Sequence, residues 1–143
     1  MADKTPASFR LSVPIDIRFS DTDAMGHVNN AAYLSYLEFA RMKYWQKLTG
    51  EKNFRKTNFI LAHVSIDYLS PSYVGESLLV FIRIREISRA SFRFEYEIQE
   101  AQTRRPVAKA ETVQVMYDYA AGKVVRMEEA FRKRIQEFEG GPA

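Results

Sequence analysis

The stretch Ala31-Ala32-Tyr33-Leu34-Ser35-Tyr36-Leu37-Glu38-Phe39-Ala40-Arg41-Met42-Lys43-Tyr44-Trp45 decides the fold. Eleven of these fifteen residues are apolar or aromatic. Tyr33, Leu37, Ala40, Tyr44 and Leu48 recur at spacings of three and four, the period of an α-helix. Of the four polar exceptions, Ser35, Glu38 and Arg41 fall on one narrow stripe, and Lys43 is the fourth. A helix with so little polar surface is expected to be buried over most of its circumference, wrapped in other structure. Gly50 can end it, because a left-handed residue without Cβ closes a helix C-terminus at low cost.

The segments around the helix read as strands. Val13 to Phe19 alternates imperfectly and is expected to be a short strand. Phe59 to Leu69 forms another, closed by Ser70-Pro71, and Gly75-Glu76 marks a turn. In Ser77 to Ser88, Leu78, Val80, Ile82 and Ile84 share one face. In Ser91 to Glu100, Phe92, Phe94, Tyr96 and Ile98 share one face and Arg93, Glu95 and Glu97 the other. Strict period-2 alternation is the mark of an antiparallel sheet with one covered face. Thr103 to Pro106 turns the chain, Val107 to Tyr119 is the next strand, and Ala121-Gly122 turns it again. Val124-Val125 adds a short strand and Glu128 to Phe138 a closing helix. One long helix among antiparallel strands is most economically covered by a single curled sheet, an α+β architecture.

Length and composition narrow the function. The 143 residues fit one domain spanning 1–143, with an ordered core from about 12 to 138 and frayed ends up to about residue 11 and from residue 140. There is no cysteine, which removes disulfides, thiol nucleophiles and thiolate metal sites together. The two histidines, His27 and His63, are far apart; they could form a two-His site with carboxylates, but there is no HExxH-type spacing and no metal site is expected. Residues 1–14 carry no apolar core of the signal-peptide kind, and no apolar run approaches the roughly 18 residues of a membrane span. A cytoplasmic location is the expectation. The modest net charge of +3 is compatible with nucleic-acid binding, with an anionic ligand such as a phosphorylated cofactor or with a solvated mixed surface, and neither a nucleic-acid nor a membrane partner is expected.

The chemistry concentrates just before the helix, in Asp21-Thr22-Asp23-Ala24-Met25-Gly26-His27-Val28-Asn29-Asn30. The first N–H groups of a helix have no partner inside it and carry the positive end of its dipole. A carboxylate beside them can activate an attacking oxygen while they polarise a carbonyl. Asp23 can be that carboxylate, or it can close an Asx-turn or cap the helix. Asp21 reads as loop-shaping and Asn29 as an N-cap. Gly26 permits a backbone angle or a close ligand approach. His27 can contact a ligand or fix the loop. Tyr33 can line a pocket or belong to the core. Glu38 is the rival acid, and an ion pair with Arg41 at i+3 is its simpler reading. Arg83, Arg85, Arg89, Arg93, Arg104 and Arg105 are candidates for phosphate binding, each with a surface role as the alternative.

These residues resemble the hotdog-fold acyl-CoA thioesterases of the 4-hydroxybenzoyl-CoA thioesterase type. The resemblance runs from about Val13 to Met127. It includes Arg18-Phe19, the block from Asp21 to Asn30, Tyr33-Leu34, Glu38-x-x-Arg41, Ile66-Asp67-Tyr68-Leu69-x-Pro71 and Gly75-Glu76. It implies a hotdog fold, a curled antiparallel sheet around one long central helix with a small C-terminal helix. It implies Asp23 as the catalytic aspartate and the Asn30 backbone N–H as the group that binds the thioester oxygen. Gly26, His27, Val28 and Tyr33 would border the substrate. It further implies a homodimer or homotetramer with active sites at the dimer interface. Coenzyme A would be part of the substrate, with no separate cofactor. Some bacterial relatives carry His at the position of Asn30; Asn can hydrogen-bond there but carries no proton at neutral pH. The alternative is a non-catalytic module that binds acyl-CoA or an acyl carrier. A hotdog dehydratase would need a different, His-centred motif.

Overall fold

The computed structural model describes Pro6 and residues 8–140. The expected fraying falls partly on residues 1–5, 7 and 141–143, which lie outside the described residues. Six strands form one antiparallel sheet: β1 (Leu11–Asp16), β2 (Phe59–Tyr68), β3 (Ser77–Ile87), β4 (Ser91–Glu100), β5 (Pro106–Asp118) and β6 (Lys123–Val124). The spatial order is β1-β3-β4-β5-β2, with β6 on the end of β5. The helices are α1 (Ala32–Thr49) and α2 (Glu129–Phe138).

The alternation in β3 and β4 decides which face meets the helix. Leu78, Val80, Ile82 and Ile84 point inward with Phe92, Phe94, Tyr96 and Ile98, and all are buried. Tyr33, Leu37, Ala40 and Tyr44 of α1 pack on them. Tyr44 meets Phe94 edge-on at 5.1 Å between ring centres. The outer face is a ladder of ion pairs: Arg83–Glu95 at 3.1 Å, Arg93–Glu111 at 2.7 Å and Lys109–Glu97 at 3.6 Å. α2 closes one end of the core through Phe131 and Ile135. Glu139, just after α2, accepts from the Tyr44 hydroxyl and the Ile84 N–H.

Three expectations need correction. The first strand stops at Asp16, and a short 3-10 turn takes Phe19–Asp21. The turn forms because the Asp21 carboxylate and the Arg18 carbonyl bind backbone N–H groups that a strand would pair across the sheet. The helix is covered on one side only. Leu34 and Phe39 are each 42% exposed on its outward side, so the sheet wraps part of its circumference. The N-terminal end is also anchored earlier than residue 11, since Phe9 packs edge-on against Phe81 and Arg83 covers its ring. Gly50 does end α1 in the left-handed conformation, at φ 74°.

Candidate active site

Asp23 starts a tight turn. Its N–H donates to the His27 carbonyl at 3.0 Å, and its carbonyl accepts from Gly26 N–H at 3.0 Å. Gly26 sits at φ +84°, a left-handed angle that L side chains rarely adopt. The Asp23 carboxylate divides its work. Oδ1 accepts the Met25 N–H at 2.8 Å, so the Asx-turn reading holds for that oxygen. Oδ2 lies 3.9 Å from His27 Nδ1. His27 Nδ1 is also 3.3 Å from the Val28 carbonyl. A carbonyl only accepts, so that contact requires the proton on Nδ1. The His27 ring packs edge-on against Tyr73.

The loop is locked to two neighbours. Val28 is buried, and its N–H donates to the Ser72 carbonyl at 2.8 Å. Asn29 N–H donates to the Asp21 carbonyl at 2.8 Å. The Asp21 carboxylate is buried and receives the Tyr36 hydroxyl at 2.7 Å and the Arg18 backbone N–H at 3.0 Å. Burial alone would raise its pKa, but these donors, with the Arg18 guanidinium, outweigh burial and hold it below the usual value. Burial and then Asp21 push the Tyr36 phenol well upward. Asp21 therefore shapes the loop, as read from the sequence.

Asn29 caps the turn that leads into α1: its Oδ1 accepts Ala31 N–H at 2.8 Å and its carbonyl accepts Ala32 N–H at 2.9 Å. The helix proper begins at Ala32. Asn30 stands between these bonds. Its carbonyl accepts the Tyr68 hydroxyl at 2.9 Å, while its N–H has no partner among the described residues. A cavity of about 210 Å³ opens there, lined by His27, Val28, Asn30, Tyr33, Tyr68 and the Leu69–Pro71 segment. Tyr33 serves both of its candidate roles, since it is also buried against Tyr36 and Tyr68. Asp23 and Gly26 do not line the cavity and stand on the turn beside His27.

Sequence reasoning missed Tyr68 and the bracing role of Arg105. Arg105 binds Glu76 with two parallel bonds of 3.0 Å and also holds the Pro71 carbonyl and Ser70 Oγ. It thereby fixes the segment that supports Val28. The only sequence signal was its place in a turn far from the site. Arg83, Arg85 and Arg93 are paired on the outer sheet face, and Arg104 lies near Gln99 and the Phe81 ring. The expected ion pair of Glu38 with Arg41 does not form. Glu38 faces outward, whereas Arg41 turns into the core and donates to the Tyr96 hydroxyl at 3.2 Å. His63 lies in β2 as expected, but exposed. No group of three or more His, Cys, Asp or Glu among the described residues could hold a metal ion.

The family model of the thioesterase-like superfamily matches residues 17–135, which include the whole site. The chain belongs to the thioesterase-like superfamily. A solved superfamily structure, a thioesterase from Thermus thermophilus complexed with coenzyme A and Zn, superposes with a TM-score of 0.87. It is 34% identical, and the match covers 96% of this chain and 100% of that one. The 1,4-dihydroxy-2-naphthoyl-CoA hydrolase of Nostoc punctiforme is 33% identical over 71% of this chain and 70% of its own. The long-chain acyl-CoA thioesterase FadM of Escherichia coli is 24% identical over 89% of this chain and 98% of its own. The hotdog fold is thus that of the superfamily.

Proposed function

We propose that the chain hydrolyses the thioester of an acyl-CoA to a carboxylic acid and free coenzyme A. Superfamily membership supplies the reaction class, thioester hydrolysis. The observation that carries the site assignment is the Asn30 N–H, without a partner among the described residues, in a residue that lines a cavity two positions before α1 and seven after Asp23.

The thioester oxygen takes the Asn30 N–H, whose partial positive charge is reinforced by the helix dipole. Asp23 Oδ2 takes the proton of a water as that water attacks the carbonyl carbon. The oxyanion that forms is held by the same N–H, a contribution of about 3 kcal/mol to the barrier. Collapse breaks the carbon–sulfur bond, and the thiolate of coenzyme A receives the proton. In the covalent variant of this route, Asp23 attacks first and water then opens the mixed anhydride. Neither route needs a cofactor. His27, Val28 and Tyr33 border the acyl carbonyl, and Gly26 keeps the turn open.

The unpaired β2 edge, with Ile60 and Leu61 exposed, supports pairing of two subunits through this strand, in a dimer or tetramer. Such pairing would put the cavity beside Tyr68 at a subunit interface. No described helix is long and apolar enough to cross a membrane, and a cytoplasmic enzyme fits the cysteine-free chain.

The test is thiol release from a panel of acyl-CoAs by wild type and Asp23→Asn. Asparagine keeps the oxygen that accepts Met25 N–H, so the turn survives while the base is lost. Turnover should fall by about 10²- to 10⁴-fold with binding and circular dichroism unchanged. Full activity in the variant would remove Asp23 from the mechanism. Tight binding without turnover in the wild type would favour the acyl-CoA or acyl-carrier binding module.

A further inference from the structure

Arg41 is a cation in the wrong place for a structural charge. It is 5% exposed, yet no carboxylate lies within ion-pair distance among the described residues. Its protein partner is neutral: Nη1 donates to Tyr96 Oη, which is hydrogen-bonded to Thr112 Oγ1, which in turn receives Gln114 Nε2. A guanidinium has five donors and does not lose its proton in proteins. Leaving such a charge buried and unpaired is strongly unfavourable. Arg41 also lines a cavity of about 470 Å³ with the apolar side chains of Met42, Phe54, Phe59 and Leu61, and Glu38 lines the same cavity.

The cavity beside Asn30 is a separate one, with no lining residue in common. α1 packs toward β1 and β3 and leaves β2 poorly covered. The inward side of β2 follows from its pairing with buried or half-buried β5 residues: Leu61 opposite Gln114, Val64 opposite Thr112, Ile66 opposite Ala110, Tyr68 opposite Ala108. Leu61 and Tyr68 remain 44% and 43% exposed on that side. Tyr68 touches Asn30 at one end and Leu61 shares the Arg41 cavity at the other. From Ala32, where α1 begins, to Arg41 the helical rise is about 14 Å. That suits a long, extended acyl chain whose thioester sits at Asn30.

We infer that Arg41 receives an anionic oxygen at the distal end of the acyl group, so that the substrates are long acyl thioesters ending in a carboxylate. This rests on the thioesterase reading for the position of the thioester. The apolar walls take the methylene chain, and the guanidinium fork takes the terminal carboxylate in the bidentate geometry it fits.

The experiment compares ω-carboxyacyl-CoAs with methyl-terminated acyl-CoAs of equal length, over a series of lengths. Both kcat/KM and calorimetric affinity are measured for wild type, Arg41→Met and Arg41→Lys. Wild type should prefer the carboxylate terminus by at least about tenfold at one length, the effect of a charge-assisted hydrogen bond. That ratio should collapse in Arg41→Met and fall partway in Arg41→Lys. A wild type with no preference at any length overturns the inference, even if the variants fail to fold, and leaves hydrolysis of plain acyl-CoAs standing. Preferential, Arg41-dependent binding with no turnover of any thioester keeps the inference and removes the thioesterase reading. A change in oligomeric state in Arg41→Met, with no terminus preference in wild type, assigns the counter-charge to a second copy and also overturns it.

Discussion

Asp21 and Asp23 stand two positions apart and do different work because their surroundings differ. Asp21 is buried under Tyr36 and Arg18, whereas Asp23 keeps one oxygen outside the turn it closes. Tyr36→Phe should cost about 1.5–3 kcal/mol in urea unfolding at neutral pH, the worth of a hydrogen bond to a charged group. The pH dependence has a definite sign. The folded pKa of Asp21 lies below its unfolded value, so its contribution is present above the unfolded carboxyl pKa of about 3.9 and is lost as pH falls through the folded one. The stability gap between wild type and Tyr36→Phe should therefore close on acidification below about pH 4. A gap constant with pH would show that the Asp21 charge does not carry the effect. The loop-shaping role of Asp21 was legible from its place in the motif. Its partner Tyr36, fifteen positions on, was not, because the contact depends on where α1 lies over the 3-10 turn.

At the scale of elements, the loop carrying Asp23 is held by its own turn bonds and, through the Val28 N–H on the Ser72 carbonyl, by the 69–76 segment. Arg105 supplies that rigidity by holding Glu76, Ser70 and the Pro71 carbonyl together. The Arg105 bond, the largest influence, together with the Tyr73 N–H and the Arg105 charge outweighs the opposing effect of burial and holds the Glu76 carboxyl below its usual value. Arg105→Lys keeps the charge and loses the two-pronged geometry. It should destabilise by about 1–2 kcal/mol, a discounted figure because the pair is partly exposed. It should also lower kcat severalfold, as the turn under Val28 loosens, while the affinity for free coenzyme A stays put. A fall in affinity alone would mean that Arg105 binds substrate phosphate. The strands themselves were easy to read, since Phe92, Phe94, Tyr96 and Ile98 alternate without interruption. The Val13–Phe19 strand was overextended because nothing local distinguishes a strand end from a 3-10 turn held by an aspartate side chain.

For the whole molecule, the two edges of the sheet differ. β1 carries Pro14, which cannot donate a ladder bond and suits an edge. β2 is ten residues long, apolar and unprotected, the kind of edge that pairs with another chain. Sedimentation should show a dimer at micromolar concentration, and Ile60→Lys with Leu61→Lys should weaken association by at least about tenfold through charge on that edge. A monomeric wild type would show that the edge is left open in solution.

The sequence by itself determined the element order, the inward faces of β3 and β4, the end of α1 at Gly50 and the tight turn at Gly26 in the loop proposed to carry the chemistry. Those features depend on short-range rules: the 3.6 and 2.0 periods, the left-handed freedom of glycine and the unsatisfied N–H groups at a helix start. Tertiary structure alone decided that Arg41 leaves Glu38 for Tyr96, that Tyr68 reaches Asn30 and that Arg105 braces the loop. Each of those contacts joins residues 34 to 55 positions apart, and which of several equally good local partners a charge takes depends on how the sheet curls over the helix.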